Sequence, residues 1–157
     1  MAAGAWKIYA KAKKYIGNGT ITLGAGVFKM CLLRSSATAL GIHTLSTRST
    51  WNSIRSVEIN AAGGYLQHGR NLVPATGKWS VGSSAKQYKF YYSTTGLVFT
   101  ASGASLANIR FAVIRNSLTA STGRLLCFCT LSSAAFSIVS PNTLTITPNA
   151  SGVFTLA

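Results

Sequence analysis

The chain has 157 residues with 15 Lys plus Arg, one acidic residue (Glu58) and no Asp, for a formal net charge of +14. A single Glu cannot supply paired carboxylates for acid–base hydrolysis, the several oxygen ligands of a Ca²⁺ or Mg²⁺ site, or a Ser-His-Asp triad beyond one substituted member. The length predicts one domain, and a hydrophobic content of 48% predicts a packed core without disulfide staples.

Residues Trp6 to Ile16 contain no Gly or Pro and end at Gly17, which predicts a short amphipathic helix with a glycine cap. Trp6, Tyr9, Lys13 and Ile16 would share one face, with Lys7, Lys11 and Lys14 on another. A strand competes over Trp6–Tyr9, because Trp, Ile and Tyr favour sheets. The chain thus divides into a basic N-terminal segment, residues 1–17, and a β domain, residues 18–157.

From Gly19 onward, short apolar-alternating runs are separated by turn residues. Ile21 and Leu23 alternate with Thr20 and Thr22. Val27–Leu33 is apolar on both faces, so it reads as a central strand. Ser35–Asn60 is irregular, fitting a small helix or long loop. Tyr65–Leu72, Lys78–Val81, Lys86–Tyr92, Leu97–Ala101 and Asn108–Ile114 follow as strands. Arg124–Leu131, Ala135–Val139, Thr143–Thr147 and Val153–Leu156 complete the series. About ten strands of this kind predict an all-β fold, a β-sandwich or jelly roll, with a short N-terminal helix or arm.

The sharpest local feature is Lys7, Lys11, Lys13 and Lys14 interleaved with Trp6, Tyr9 and Tyr15. It has the composition of a nucleic-acid stacking platform, and equally that of a solvated helix face whose aromatics pack inward. Arg34, Arg48, Arg55, Arg70, Arg110, Arg115 and Arg124 fall near strand ends or in loops. With one carboxylate in the chain, most of these guanidiniums are expected to find partners outside the subunit or in water. Trp6, Lys7, Tyr9, Lys11, Lys13, Lys14, Arg55, Arg70 and Arg110 are therefore the candidate partner-binding residues. Glu58 is expected to pair with Arg55 or another cation.

Cys31, Cys127 and Cys129 match no disulfide framework and read as small buried apolar thiols. His43 and His68 lack metal-ligand spacing, Gly17-Asn18-Gly19 and Gly24-Ala25-Gly26 read as hairpin turns, and Asn18-Gly19-Thr20 and Asn149-Ala150-Ser151 as turn chemistry. No apolar run has the length of a secretory signal or a membrane span. No catalytic residue, metal or cofactor is expected.

The order of several motifs resembles a family of small virion structural proteins of tailed bacteriophages. Lys11-Ala12-Lys13-Lys14-Tyr15-Ile16-Gly17-Asn18-Gly19-Thr20-Ile21 is similar to their opening. Val27-Phe28-Lys29-Met30, Thr44-Leu45-Ser46-Thr47 and Asn60-Ala61-Ala62-Gly63-Gly64-Tyr65 follow in the same order. So do Lys86-Gln87-Tyr88-Lys89-Phe90, Asn108–Ile114, Gly123-Arg124-Leu125-Leu126-Cys127 and Gly152-Val153-Phe154-Thr155-Leu156. The resemblance implies a non-enzymatic virion protein assembled in the bacterial cytoplasm, as a capsid decoration or cement protein that binds major capsid subunits. A tail tube, fibre or adaptor subunit is the alternative within virions, and a basic nucleic-acid-binding module the alternative outside them. A decoration role further implies a trimer or dimer on a local symmetry axis and no membrane partner. The near absence of acidic residues departs from the family pattern and implies an unusually acidic partner surface.

Overall fold

The computed structural model describes residues 4–24, 26–39, 41–42, 48–72, 79–81, 88–90, 92, 96–116, 123–148 and 152–156. His43, the Thr44–Thr47 motif, Lys78, Lys86–Gln87, Tyr91 and Asn149–Ser151 lie outside the described residues. The rest is mostly antiparallel β-sheet with one α-helix.

The N-terminal segment divides between the two predicted states. Lys7–Ile8 is a short strand, β1, and the helix α1 begins only at Ala10 and runs to Gly17. The helix starts late because Trp6–Tyr9 follows the main sheet: Lys7 and Ile8 lie opposite Phe128 and Cys127, and the Tyr9 amide donates to the Leu126 carbonyl at 3.1 Å. Gly17 is the last helical residue rather than the cap. The left-handed turn falls at Gly19, with φ of 74°.

The main sheet holds β1, β2 (Phe28–Arg34), β3 (Arg70–Asn71), β7 (Leu106–Asn116) and β8 (Leu125–Thr130) in the order β1-β8-β7-β2-β3, and β9 (Phe136–Ile138) pairs with the start of β7. A three-stranded sheet joins β4 (Trp79–Val81), β5 (Tyr88–Phe90) and β11 (Phe154–Leu156), and a two-stranded one joins β6 (Leu97–Thr100) and β10 (Thr143–Ile146).

The expected central position of β2 holds: it lies between β7 and β3. Every residue from Phe111 to Asn116 is buried, as is every residue from Leu125 to Cys129, so neighbouring β7 and β8 are covered on both faces. Tyr9 and Ala12 belong to the same hydrophobic core as these strands. The basic N-terminal segment is therefore built into the sheet domain.

Two expected strands differ. Ile21 and Leu23 are buried but not extended into a ladder; the Ile21 amide instead donates to the Tyr15 carbonyl at 2.8 Å, tying the turn back to α1. In Tyr65–Leu72 only Arg70–Asn71 is strand, because His68 (φ 70°) and Gly69 (φ 80°) take left-handed conformations that a ladder cannot accommodate. The described residues of Ser35–Asn60 include three 3-10 turns, Ser35–Thr38, Trp51–Ser53 and Arg55–Val57.

Candidate interaction surface

The geometry of α1 follows from its burial pattern. Ala12 is completely buried and Tyr15 and Ile16 half-buried, while Lys11, Lys13 and Lys14 are exposed, as is Lys7 on β1. Small Ala12 lets the helix backbone approach the sheet closely, so the lysines project from a rigid edge. Lys13, expected on the apolar face, is on the solvent side.

Two arginines outside the candidate set lie near β1 and α1. Arg124, at the entrance to β8, places its guanidinium 4.3 Å from the Tyr15 ring centroid and donates to the Tyr15 hydroxyl at 2.9 Å. Arg48 is half-buried, donates to the Ser53 carbonyl at 3.2 Å and contributes to the electrostatic environment of Tyr9. A stacking Arg–Tyr pair over 100 residues apart in sequence leaves no local pattern that periodicity could disclose.

The other candidates are dispersed. Tyr9 is not a surface anchor: it is fully buried, its ring 5.6 Å from that of Phe128, and burial pushes its hydroxyl pKa well above the ordinary value. Trp6 is half-buried against the core. Arg70 occupies β3, the edge opposite β1. Ile8, Cys127, Ile114, Met30 and Arg70 lie in one row across the sheet, so four strand spacings, roughly 19 Å, separate Arg70 from the lysine edge. Arg55 is exposed on a 3-10 turn, and half-buried Arg110 lies over the Phe111 ring and contacts the Thr38 hydroxyl.

The expectation that most guanidiniums lack partners within the chain is corrected. Arg34 donates to the Ser56 carbonyl at 2.6 Å, Arg70 to the Val98 carbonyl, and Arg115 to the His68 carbonyl at 3.0 Å. In a chain with one carboxylate, main-chain carbonyls, hydroxyls and aromatic faces take over the role that Asp and Glu usually play.

Glu58 lies inside the protein, only 5% exposed. It accepts a hydrogen bond from the Tyr65 hydroxyl at 2.7 Å and from the amides of His68 and Gly69, with His68 Nδ1 at 3.9 Å. The expected Arg55 partner is not among its contacts within the described residues; the cation that faces it is Arg115, itself 1% exposed and stacked on Trp51 at 5.2 Å. Desolvation raises the Glu58 pKa, opposed by the Tyr65 bond, the two amides and Arg115. Burial also pushes the nearby Cys31 thiol up to about 12. Glu58, bonded by Tyr65, His68 and Gly69, acts as a latch that holds the loop 59–69 against β2, where the Leu32 amide donates to the Tyr65 hydroxyl.

Among the described residues, no cluster of three or more His, Cys, Asp or Glu converges as a metal site, and no helix is long and apolar enough to cross a membrane. Compared with known proteins, the chain matches no family model, no curated sequence and no solved structure.

Proposed function

We propose that this chain is a non-enzymatic structural protein that docks onto an acidic surface of a larger assembly through the basic edge formed by β1 and α1. The observation that carries this reading is that Lys7, Lys11, Lys13 and Lys14 are exposed on a scaffold anchored in the core, while the chain's one carboxylate side chain is buried. Preorganised like charges steer an oppositely charged partner and fix its register. The collinear motifs support a tailed-phage virion as the assembly, and the role proposed within it is that of a head decoration protein bound to major capsid subunits. The burial of β7 and β8 on both faces supports a β-sandwich as the global arrangement. Two or three copies on a local axis would meet through a face other than the lysine edge, where like charges repel.

Nucleic acid is the second reading, supported by the same lysines. Burial of Tyr9 and engagement of Tyr15 by Arg124 leave half-buried Trp6 as the aromatic beside the lysines, which favours an acidic protein over stacked bases. The test combines localisation by electron microscopy of particles containing the chain with binding to empty heads and to duplex DNA across a salt series. Binding to heads but not DNA, weakened at least several-fold by K7Q/K11Q/K13Q/K14Q, supports decoration. Tight DNA binding with a steep salt slope transfers the reading to a nucleic-acid module, and density in the tail transfers it to a tail subunit.

A further inference from the structure

A second site lies away from the lysine edge. Between β6, the loop after Gly63 and the β3 edge is a cleft of about 300 Å³. Its floor is apolar and fixed: Tyr65 and Phe99 are each 4% exposed, with ring centroids 6.0 Å apart. Tyr65 cannot swing away without breaking buried bonds, because its hydroxyl accepts from the Leu32 amide at 3.1 Å and donates to Glu58 at 2.7 Å. The width is set by backbone. Gly64 has φ of 82°, and a Cβ there would come within 3.1 Å of the Thr100 carbonyl.

The rim is unlike the floor. Leu66 is 77% exposed and lines the cleft beside Tyr65. Beside it the exposed Arg70 donates one N–H to the Val98 carbonyl. That bond tethers the guanidinium at the mouth, and the group has five N–H donors in total, so it retains capacity for an incoming carboxylate.

We infer that this cleft is a docking site for a short acidic–hydrophobic segment of a partner protein, one apolar side chain entering between Leu66 and the Tyr65–Phe99 floor while an adjacent carboxylate pairs with Arg70. The volume suits one large side chain, and the remaining guanidinium donors of Arg70 suit a carboxylate beside it. A second copy of this chain is a poor occupant, because its one acidic side chain is Glu58, buried and already bonded. The site is independent of the lysine edge, which lies across the main sheet.

The test is an NMR titration of the intact chain with two capped pentapeptides, Gly-Asp-Phe-Asp-Gly and its neutral counterpart Gly-Asn-Phe-Asn-Gly. The acidic peptide is expected to shift the Gly64, Leu66, Arg70 and Thr100 amides saturably, and the neutral one to bind about tenfold more weakly, as for loss of one partly desolvated charge pair. Arg70→Gln should reduce the acidic peptide to the neutral level, and Leu66→Glu should abolish both. Both positions are exposed, and unchanged amide dispersion elsewhere verifies the fold. K7Q/K11Q/K13Q/K14Q should leave the cleft shifts in place, which separates this site from the docking edge. Equal affinity for the two peptides, no saturable shift at the cleft, or binding unaltered by Arg70→Gln overturns the inference.

Discussion

Replacing Tyr65 with Phe deletes one oxygen atom that serves two buried partners. The hydroxyl accepts from the Leu32 amide at 3.1 Å, in the middle of β2, and donates to Glu58 Oε1 at 2.7 Å. Leu32 is fully buried and Glu58 is 5% exposed, so water does not readily replace the lost oxygen. A stranded buried amide costs about 1–3 kcal/mol, and a hydrogen bond to a charged acceptor contributes about 1.5–3 kcal/mol. The His68 and Gly69 amides still hold the carboxylate, and the ring keeps its packing against Phe99. The net loss should be about 3 kcal/mol, a large share of a typical total of about 5–15 kcal/mol. Urea unfolding followed by tryptophan fluorescence should therefore show a midpoint lowered by about 1.5 M at an unchanged slope of about 2 kcal/mol per M. In a cycle with Glu58→Gln, the two changes should couple by about 1–2 kcal/mol, because they share one bond. A Tyr65→Phe protein within about 0.5 kcal/mol of the parent, or strict additivity in the cycle, refutes the latch.

With no Asp and one Glu, Glu58 and His68 are the acid-range groups among the described residues whose environments shift them on folding. The Glu58 pKa is raised in the folded state, so its contribution is fully present below the unfolded carboxyl pKa and is lost as pH rises through the folded one. The His68 pKa is lowered, chiefly by desolvation, so its contribution is present above the unfolded imidazole pKa and lost as pH falls through the folded one. Urea midpoints of His68→Asn should accordingly fall from about pH 4.5 toward neutrality, and adding Glu58→Gln should remove that slope. Arg124→Ala removes the contact over Tyr15 and the bond to its hydroxyl, and should lower the thermal midpoint by about 2–4 °C, with Arg124→Lys only partly restoring it. Burial pushes Cys129 up to about 11 and Cys31 to about 12, and Cys127 is raised well above its ordinary value. All three thiols should react with a disulfide reagent at pH 8 only as fast as the protein opens.

What the sequence discloses here depends on whether the physics is local. β2 and β7 are legible because several consecutive apolar residues in a short run have few alternatives to burial between neighbouring strands. Arg124–Leu131 is legible for the same reason, and the reading of Cys127 and Cys129 as buried thiols holds. The failures occur where a distant partner decides. Trp6–Tyr9 has helical spacing, but ladder bonds to β8 outweigh it, and the same docking takes Tyr9 from candidate anchor to core. Ile21 and Leu23 alternate as strand residues should, yet the turn behind α1 already satisfies their burial. Arg34, Arg70 and Arg115 each find a main-chain carbonyl, an acceptor that a count of carboxylates leaves out. Carbonyl oxygens are invisible to such a count, since every residue carries one. Glu58 shows the same limit from the other side: its scarcity marked it as special, but its partners Tyr65 and His68 follow it within ten residues across a loop whose left-handed turns no periodicity encodes. The lysine edge was readable because exposure of lysine is the default state. The cleft was not, because it is defined by a loop, a sheet edge and a strand whose approach depends on backbone alone.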